Sequence, residues 1–129
     1  MRIRLGQGTR VEALIRDHVL LTDQPEKAGG GNAAPNPFEL FLASIGTCAG
    51  FYVQAFCRKR DIPTDGIELE MTFDRNEETK LIETIHIAVS FPEGFPEQYI
   101  PACIKSAEQC TVKKHLQDPP HIVLKPADA

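Results

Sequence analysis

Between Asn36 and Arg60 the chain carries one long run of apolar and small residues, Pro37-Phe-Glu-Leu-Phe-Leu-Ala-Ser-Ile-Gly-Thr-Cys-Ala-Gly-Phe-Tyr-Val-Gln-Ala-Phe-Cys57. Any fold must find this run a place out of water. Its start is marked by helix chemistry: Asn36 suits the N-cap, Pro37 the first helical position, and Glu39 the third, as in a capping box. Its end is marked by Arg58-Lys-Arg60, three cations that complement the C-terminal dipole. The pattern predicts a helix to about Arg60, apolar almost all round and therefore buried on most faces. Ala43, Gly46, Thr47 and Gly50 form a small-residue stripe where another backbone can approach. A helix-interior glycine costs about 1 kcal/mol against alanine, so two of them imply a packing or functional reason.

The rest of the chain frames this helix. Val11, Ala13 and Ile15 alternate with Glu12, Leu14 and Arg16, and Arg16-Asp17 reads as a turn before His18-Val-Leu-Leu-Thr22. Residues 1–24 are thus an N-terminal β-meander. Gln24 to Asn36, centred on Gly29-Gly-Gly-Asn32, is a loop with the composition of a mobile segment. It matches neither the P-loop nor the dinucleotide fingerprint. After Asp65-Gly66, Ile67, Leu69, Met71 and Phe73 alternate with polar residues, and Leu81 to Phe91 repeats the alternation around a loop at 75–79, giving a β-hairpin. Tyr99, Ile100, Cys103, Ile104 and Ala107 recur at helical spacing, with Pro101 in the first turn or at a kink. Further helical turns at 111–117 lead to Pro119-Pro120 and a final strand, His121-Ile-Val-Leu-Lys125. The order predicts one α+β domain over residues 1–129.

A formal net charge of −4 argues against a nucleic-acid surface, which needs a basic face. The N-terminus turns polar at once and shows no secretory signal, and Glu39, Ser44, Thr47 and Gln54 interrupt the longest apolar run. These features predict a cytoplasmic protein without a membrane partner. Structural disulfides are rare there, and cysteines are more often free, metal-bound or catalytic.

The four cysteines are Cys48, Cys57, Cys103 and Cys110. No C-x-x-C occurs, so neither a thioredoxin-type motif nor a zinc ribbon is supported, and no metal or cofactor is called for. Cys48 and Cys57 are separated by roughly two and a half helical turns and face opposite sides. On one continuous helix Cys103 and Cys110 would stand about 10 Å apart, beyond disulfide reach. Any bridge must join the two helical regions. Cys57 and Cys103 sit among bulky apolar residues and read as buried small hydrophobes. Cys48 has small neighbours that leave room around its sulfur. Cys110 stands at a helix start with Lys113 and Lys114 after it, features that lower a thiol pKa. For Cys48 and Cys110 the residues alone leave the redox and the inert readings both open. Glu39 is a candidate charge partner, although capping explains it more simply. His18, His86, His115 and His121 are dispersed and take no role.

Gly29-Gly-Gly-Asn-Ala-Ala-Pro-Asn-Pro-Phe-Glu-Leu-Phe-Leu-Ala-Ser-Ile-Gly-Thr-Cys48 resembles the signature of the OsmC/Ohr family, in which a Gly-rich loop leads into a central helix bearing a cysteine. Ala107-Glu-Gln-Cys110-Thr-Val-Lys-Lys-His-Leu resembles that family's second cysteine motif. The resemblance implies an intertwined homodimer with its sites at the interface. It also implies a thiol-dependent peroxidase. In that scheme Cys48 attacks an organic hydroperoxide, its sulfenic acid condenses with Cys110, and a dithiol or lipoylated protein reduces the disulfide. Two departures matter. The family's organic-hydroperoxide branch places a glutamate directly after Asn-Pro, where this chain has Phe38 and reaches Glu39 one residue later. One residue turns a helix by about 100°. The arginine that pairs with that glutamate has only Arg16 as a candidate. The chain therefore looks closer to a general OsmC-like branch than to a typical organic hydroperoxide resistance protein. The alternative is a non-catalytic protein of the same fold that binds a small ligand or senses redox state.

Overall fold

The computed structural model describes residues 1–127. The chain divides into two compact units, Met1–Ser44 and the part from Ile45 onward.

The first unit holds a three-stranded antiparallel sheet in the order β1-β2-β3: β1 Arg2–Leu5, β2 Val11–Ile15 and β3 His18–Thr22. Ile15 pairs with His18 across a two-residue turn whose Arg16 takes φ 53°. A non-glycine residue there is uncommon. The sheet leaves Ile3, Leu5, Val19 and Leu20 exposed.

The Gly-rich loop that follows is anchored by Asp23. This buried carboxylate accepts hydrogen bonds from the Thr9 hydroxyl at 2.5 Å, the Gln24 amide at 2.8 Å and the Ala33 amide at 3.0 Å. Arg10 adds its charge at 3.9 Å. The Thr9, Ala33 and Gln24 hydrogen bonds, in that order, outweigh burial and bring the Asp23 pKa from 3.8 to about 2. A short 3-10 turn, Glu26–Ala28, precedes Gly29 at φ 84°. A Cβ on Gly30 would stand 1.9 Å from the Gln24 carbonyl oxygen, so only glycine lets the loop fold back there.

The capping box forms as the sequence predicts. Asn36 Oδ1 accepts from the Glu39 amide and Glu39 Oε2 from the Asn36 amide, each at 2.8 Å. It opens α1, Pro37–Arg58. The helix stops two residues short of the expected Arg60. The Ile62 and Arg60 amides both turn back to the Cys57 carbonyl, and Asp61 at φ 54° takes the left-handed step out of the helix. The Arg60 guanidinium closes the end by donating to the Phe56 carbonyl at 3.1 Å.

In the second unit β4 Glu68–Arg75 and β5 Ile82–Ser90 form an antiparallel hairpin. Leu69 faces Val89, Met71 faces Ile87 and Phe73 faces Ile85, the apolar stripe read from the alternation. A Cβ on Gly46 would stand 2.5 Å from the Met71 sulfur. That half of the small-residue stripe thus receives a side chain rather than a backbone. The expected second helix is α2 Ile100–Ala107, with Pro101 in its first turn, and the further helical turns expected at 111–117 are α3 Thr111–Gln117, with Cys110 as N-cap.

Two expectations are corrected. The helix α1 buries one face only, through Ile45, Ala49, Val53, Phe56 and Cys57. Its most apolar window has a mean hydropathy of 1.6, enough by length and composition to cross a membrane, yet only 28% of it is buried. Phe38, Phe41 and Phe51 remain exposed. The helix is apolar on more faces than the described residues cover. The final strand does not form either: residues 121–127 join no sheet, and Ile122, Val123 and Leu124 are 84%, 80% and 91% exposed. An apolar pattern becomes a strand only when it pairs with a hydrogen-bonding edge, and within the described chain this segment pairs with none.

Candidate active site

The second unit brings Cys48 and Cys110 together. Cys48 lies midway along α1 and is half-buried, whereas Cys110, at the start of α3, is buried. Both are free thiols, and they hydrogen-bond to each other. The first amides of α3, from Thr111 and Val112, also donate to the Cys48 sulfur. The Cys110 sulfur accepts from the Lys113 amide at 3.4 Å. The helix start therefore cradles two sulfurs at once.

The environments of the two thiols diverge. Burial pushes the Cys48 thiol up. The hydrogen bond from Cys110 and the amides of Val112 and Thr111 outweigh it, and the net direction is below the ordinary value of 9.0. These donors are a thiol and two peptide groups, not a cation. For Cys110 burial again pushes up, and the hydrogen bond it gives to Cys48 adds to it, so its pKa is raised. The sequence had suggested the opposite for Cys110, from its helix start and its lysines. Lys113 contributes its amide, which is too little against burial and a neighbouring sulfur that needs the Cys110 proton.

Hydrogen bonds missed in the sequence hold this geometry. The Tyr52 hydroxyl, one turn after Cys48, meets the Thr111 hydroxyl at 3.3 Å. The Ser106 hydroxyl reaches the Tyr52 carbonyl at 3.4 Å and the Cys103 carbonyl at 2.6 Å, tying α2 to α1. The signal available was the helical spacing of Tyr52 from Cys48, which puts both on one side of α1.

The other two candidates are engaged elsewhere. The Glu39 carboxylate is exposed and caps α1. Arg16 lies exposed in the β2–β3 turn. Both belong to the first unit. Among the described residues no cluster of three or more His, Cys, Asp and Glu side chains suits a metal ion.

An apolar cavity of about 350 Å³ has Cys110 in its wall. Ile85, Ile87 and Val89 of β5 face Ile45 and Ala49 of α1 and Ile104 of α2 across it, with Glu108 and Lys113 as its charged groups.

A helix that presents a half-buried thiol to a second thiol at another helix start is the arrangement that the second unit builds from Cys48 and Cys110. The family model described as OsmC-like protein matches residues 29–125, and the chain belongs to that family. Solved structures share the fold. A Psychrobacter arcticus 273-4 protein, described as an osmotic stress induced and detoxification response protein, superposes with a TM-score of 0.74 at 21% identity, over 88% of this chain and 84% of that one. The OsmC-like protein of Mycoplasma pneumoniae gives 0.72 at 14% identity, covering 92% and 86%. An organic hydroperoxide resistance protein OsmC from Legionella pneumophila gives 0.54 at 19%, covering 90% and 86%. No curated protein matches the sequence.

Proposed function

We propose that this protein is a thiol-dependent peroxidase that reduces organic hydroperoxides through Cys48 and Cys110. The observation that carries the reading is the thiol pair itself: half-buried Cys48 and buried Cys110 hydrogen-bond to each other at the start of α3, whose first amides donate to the Cys48 sulfur. Cys48, lowered and partly accessible, is the nucleophile. Its thiolate attacks the O–O bond, the alcohol leaves, and the sulfur becomes a sulfenic acid. Cys110, still protonated and already in contact, condenses with that sulfenic acid; water leaves and a disulfide forms. A dithiol, free or on a lipoylated protein, restores both thiols by exchange. Backbone amides at the start of α3 take the activating role, which accounts for a site that departs from Asn-Pro-Glu at Phe38.

The apolar cavity that has Cys110 in its wall favours a hydroperoxide with an organic tail. The exposed apolar faces of α1 and of the β1–β3 sheet, with the uncovered Ile122–Leu124 segment, support a homodimer. Free thiols throughout suit the reducing cytoplasm. The test is hydroperoxide consumption with dihydrolipoamide as reductant. Turnover is expected for cumene hydroperoxide and its loss in Cys48→Ser; equal rates for wild type and Cys48→Ser would sink the reading. The cavity also suits a non-catalytic ligand-binding protein, which predicts no turnover and a bound apolar molecule after purification.

A further inference from the structure

The sequence treats Cys57 and Cys103 as separate inert side chains; the fold makes them a pair. Cys57, in the last turn of α1, and Cys103, in α2, are each 0% exposed. Their thiols hydrogen-bond to each other inside a core of Val53, Phe56 and Phe95. This contact is a further tie between α1 and α2, and α2 leads through Glu108 and Gln109 directly to Cys110.

We propose that Cys57 and Cys103 are a second dithiol–disulfide couple, closed by a small hydroperoxide under sustained oxidation so that α1 is stapled to α2. The chemistry suits the site. An apolar core tolerates neutral species, and two thiols or one disulfide are both neutral, whereas a thiolate is not. Burial, with Cys57 beside it, pushes Cys103 up to about 11, so closure is slow compared with that of the Cys48–Cys110 pair. The Cys57 sulfur attacks hydrogen peroxide and keeps one oxygen as sulfenic acid, and the departing hydroxide takes the thiol proton to form water. The Cys103 sulfur then attacks that sulfenic sulfur, the S–O bond breaks, and the hydroxide leaves with the Cys103 proton as a second water. Two thiols lose two electrons and the peroxide gains them. The closed bridge fixes α2, and with it the approach of Cys110 to Cys48.

This proposal stands apart from the peroxidase reading, and its test separates the two. Cys48→Ser/Cys110→Ser protein is incubated with excess hydrogen peroxide, unfolded in the presence of iodoacetamide, and mapped by mass spectrometry. The expected result is a loss of two hydrogens, a linked Cys57–Cys103 peptide and a higher thermal midpoint. Full alkylation of both cysteines, or either one carrying sulfinic acid without a link, overturns the proposal. If the double variant does not fold, wild type serves. Loss of four hydrogens in two steps, with the slower step missing in Cys103→Ala, supports the couple; a final loss of two at Cys48–Cys110 alone overturns it.

Discussion

At the scale of single residues, the site is a matter of which sulfur holds the proton. The Cys48 pKa is depressed, so its reactive thiolate appears at lower pH than in a free cysteine. Single-turnover peroxide reduction, followed against pH, is therefore expected to rise with a midpoint below 9.0, the ordinary thiol value. Thr111→Pro probes the cause directly. Proline suits the first position of α3, and Cys110 at φ −49° and ψ 122° already has the backbone that a following proline demands. The substitution removes one amide donor to Cys48 and also the Thr111 hydroxyl that meets Tyr52, so Thr111→Val, which removes the hydroxyl alone, is the reference for it. The midpoint should move up and the rate at neutral pH fall about tenfold, since a hydrogen bond to a charged group contributes about 1.5 kcal/mol or more. An unchanged profile would show that the α3 amides do not activate Cys48. Asp23 gives a second pH signature. Its folded pKa of about 2 lies below the ordinary 3.8, so its stabilisation is present above 3.8 and is lost as pH falls toward 2. Denaturant unfolding should show Asp23→Asn less stable than wild type at neutral pH, with the gap narrowing as the solution is acidified.

At the scale of elements, the helix start was the most legible part of the chain. Asn36, Pro37 and Glu39 are local instructions, and the reciprocal hydrogen bonds follow from them. Asn36→Ala is expected to cost about 1 kcal/mol of unfolding free energy. The β4–β5 register was equally readable, because a period of two leaves one face for Leu69, Met71 and Phe73. Less was visible where the outcome depends on what lies opposite. Gly46 and Gly50 look alike in the sequence. In the fold a Cβ at 46 meets Met71, while nothing lies within 4 Å of one at 50. Gly46→Ala should therefore give a lower thermal midpoint than Gly50→Ala. Among the described residues nothing opposes the helix-propensity gain of Gly50→Ala, about 1 kcal/mol, so a midpoint that fails to rise would point to a neighbour supplied by another chain. The same reasoning covers the site. The motif order pointed to Cys48 and Cys110, but the division of labour between them rests on Thr111 and Val112 amides, which no side-chain pattern encodes. It also explains why Cys57 and Cys103 read as unrelated: residues far apart in sequence become a pair only through the crossing of α1 and α2.

At the scale of the molecule, the exposed apolar surface is the unresolved demand of the protomer. Phe51 is 59% exposed on a helix whose other face is core, and Ile122–Leu124 lie open beyond α3. A homodimer that covers these residues predicts a mass near twice 14.3 kDa by sedimentation. Phe51→Glu should shift the population to folded monomer, and a wild-type protein that sediments as monomer would contradict the dimer. The central claim concerns chemistry rather than assembly, and one titration addresses it. Reduced protein is mixed with a single equivalent of an organic hydroperoxide, and the alcohol product and the protein mass are measured together. The account predicts one alcohol formed per protomer, a loss of two hydrogens, and a peptide linking Cys48 to Cys110. Hydroperoxide left intact, with both thiols still free to alkylate, would contradict it.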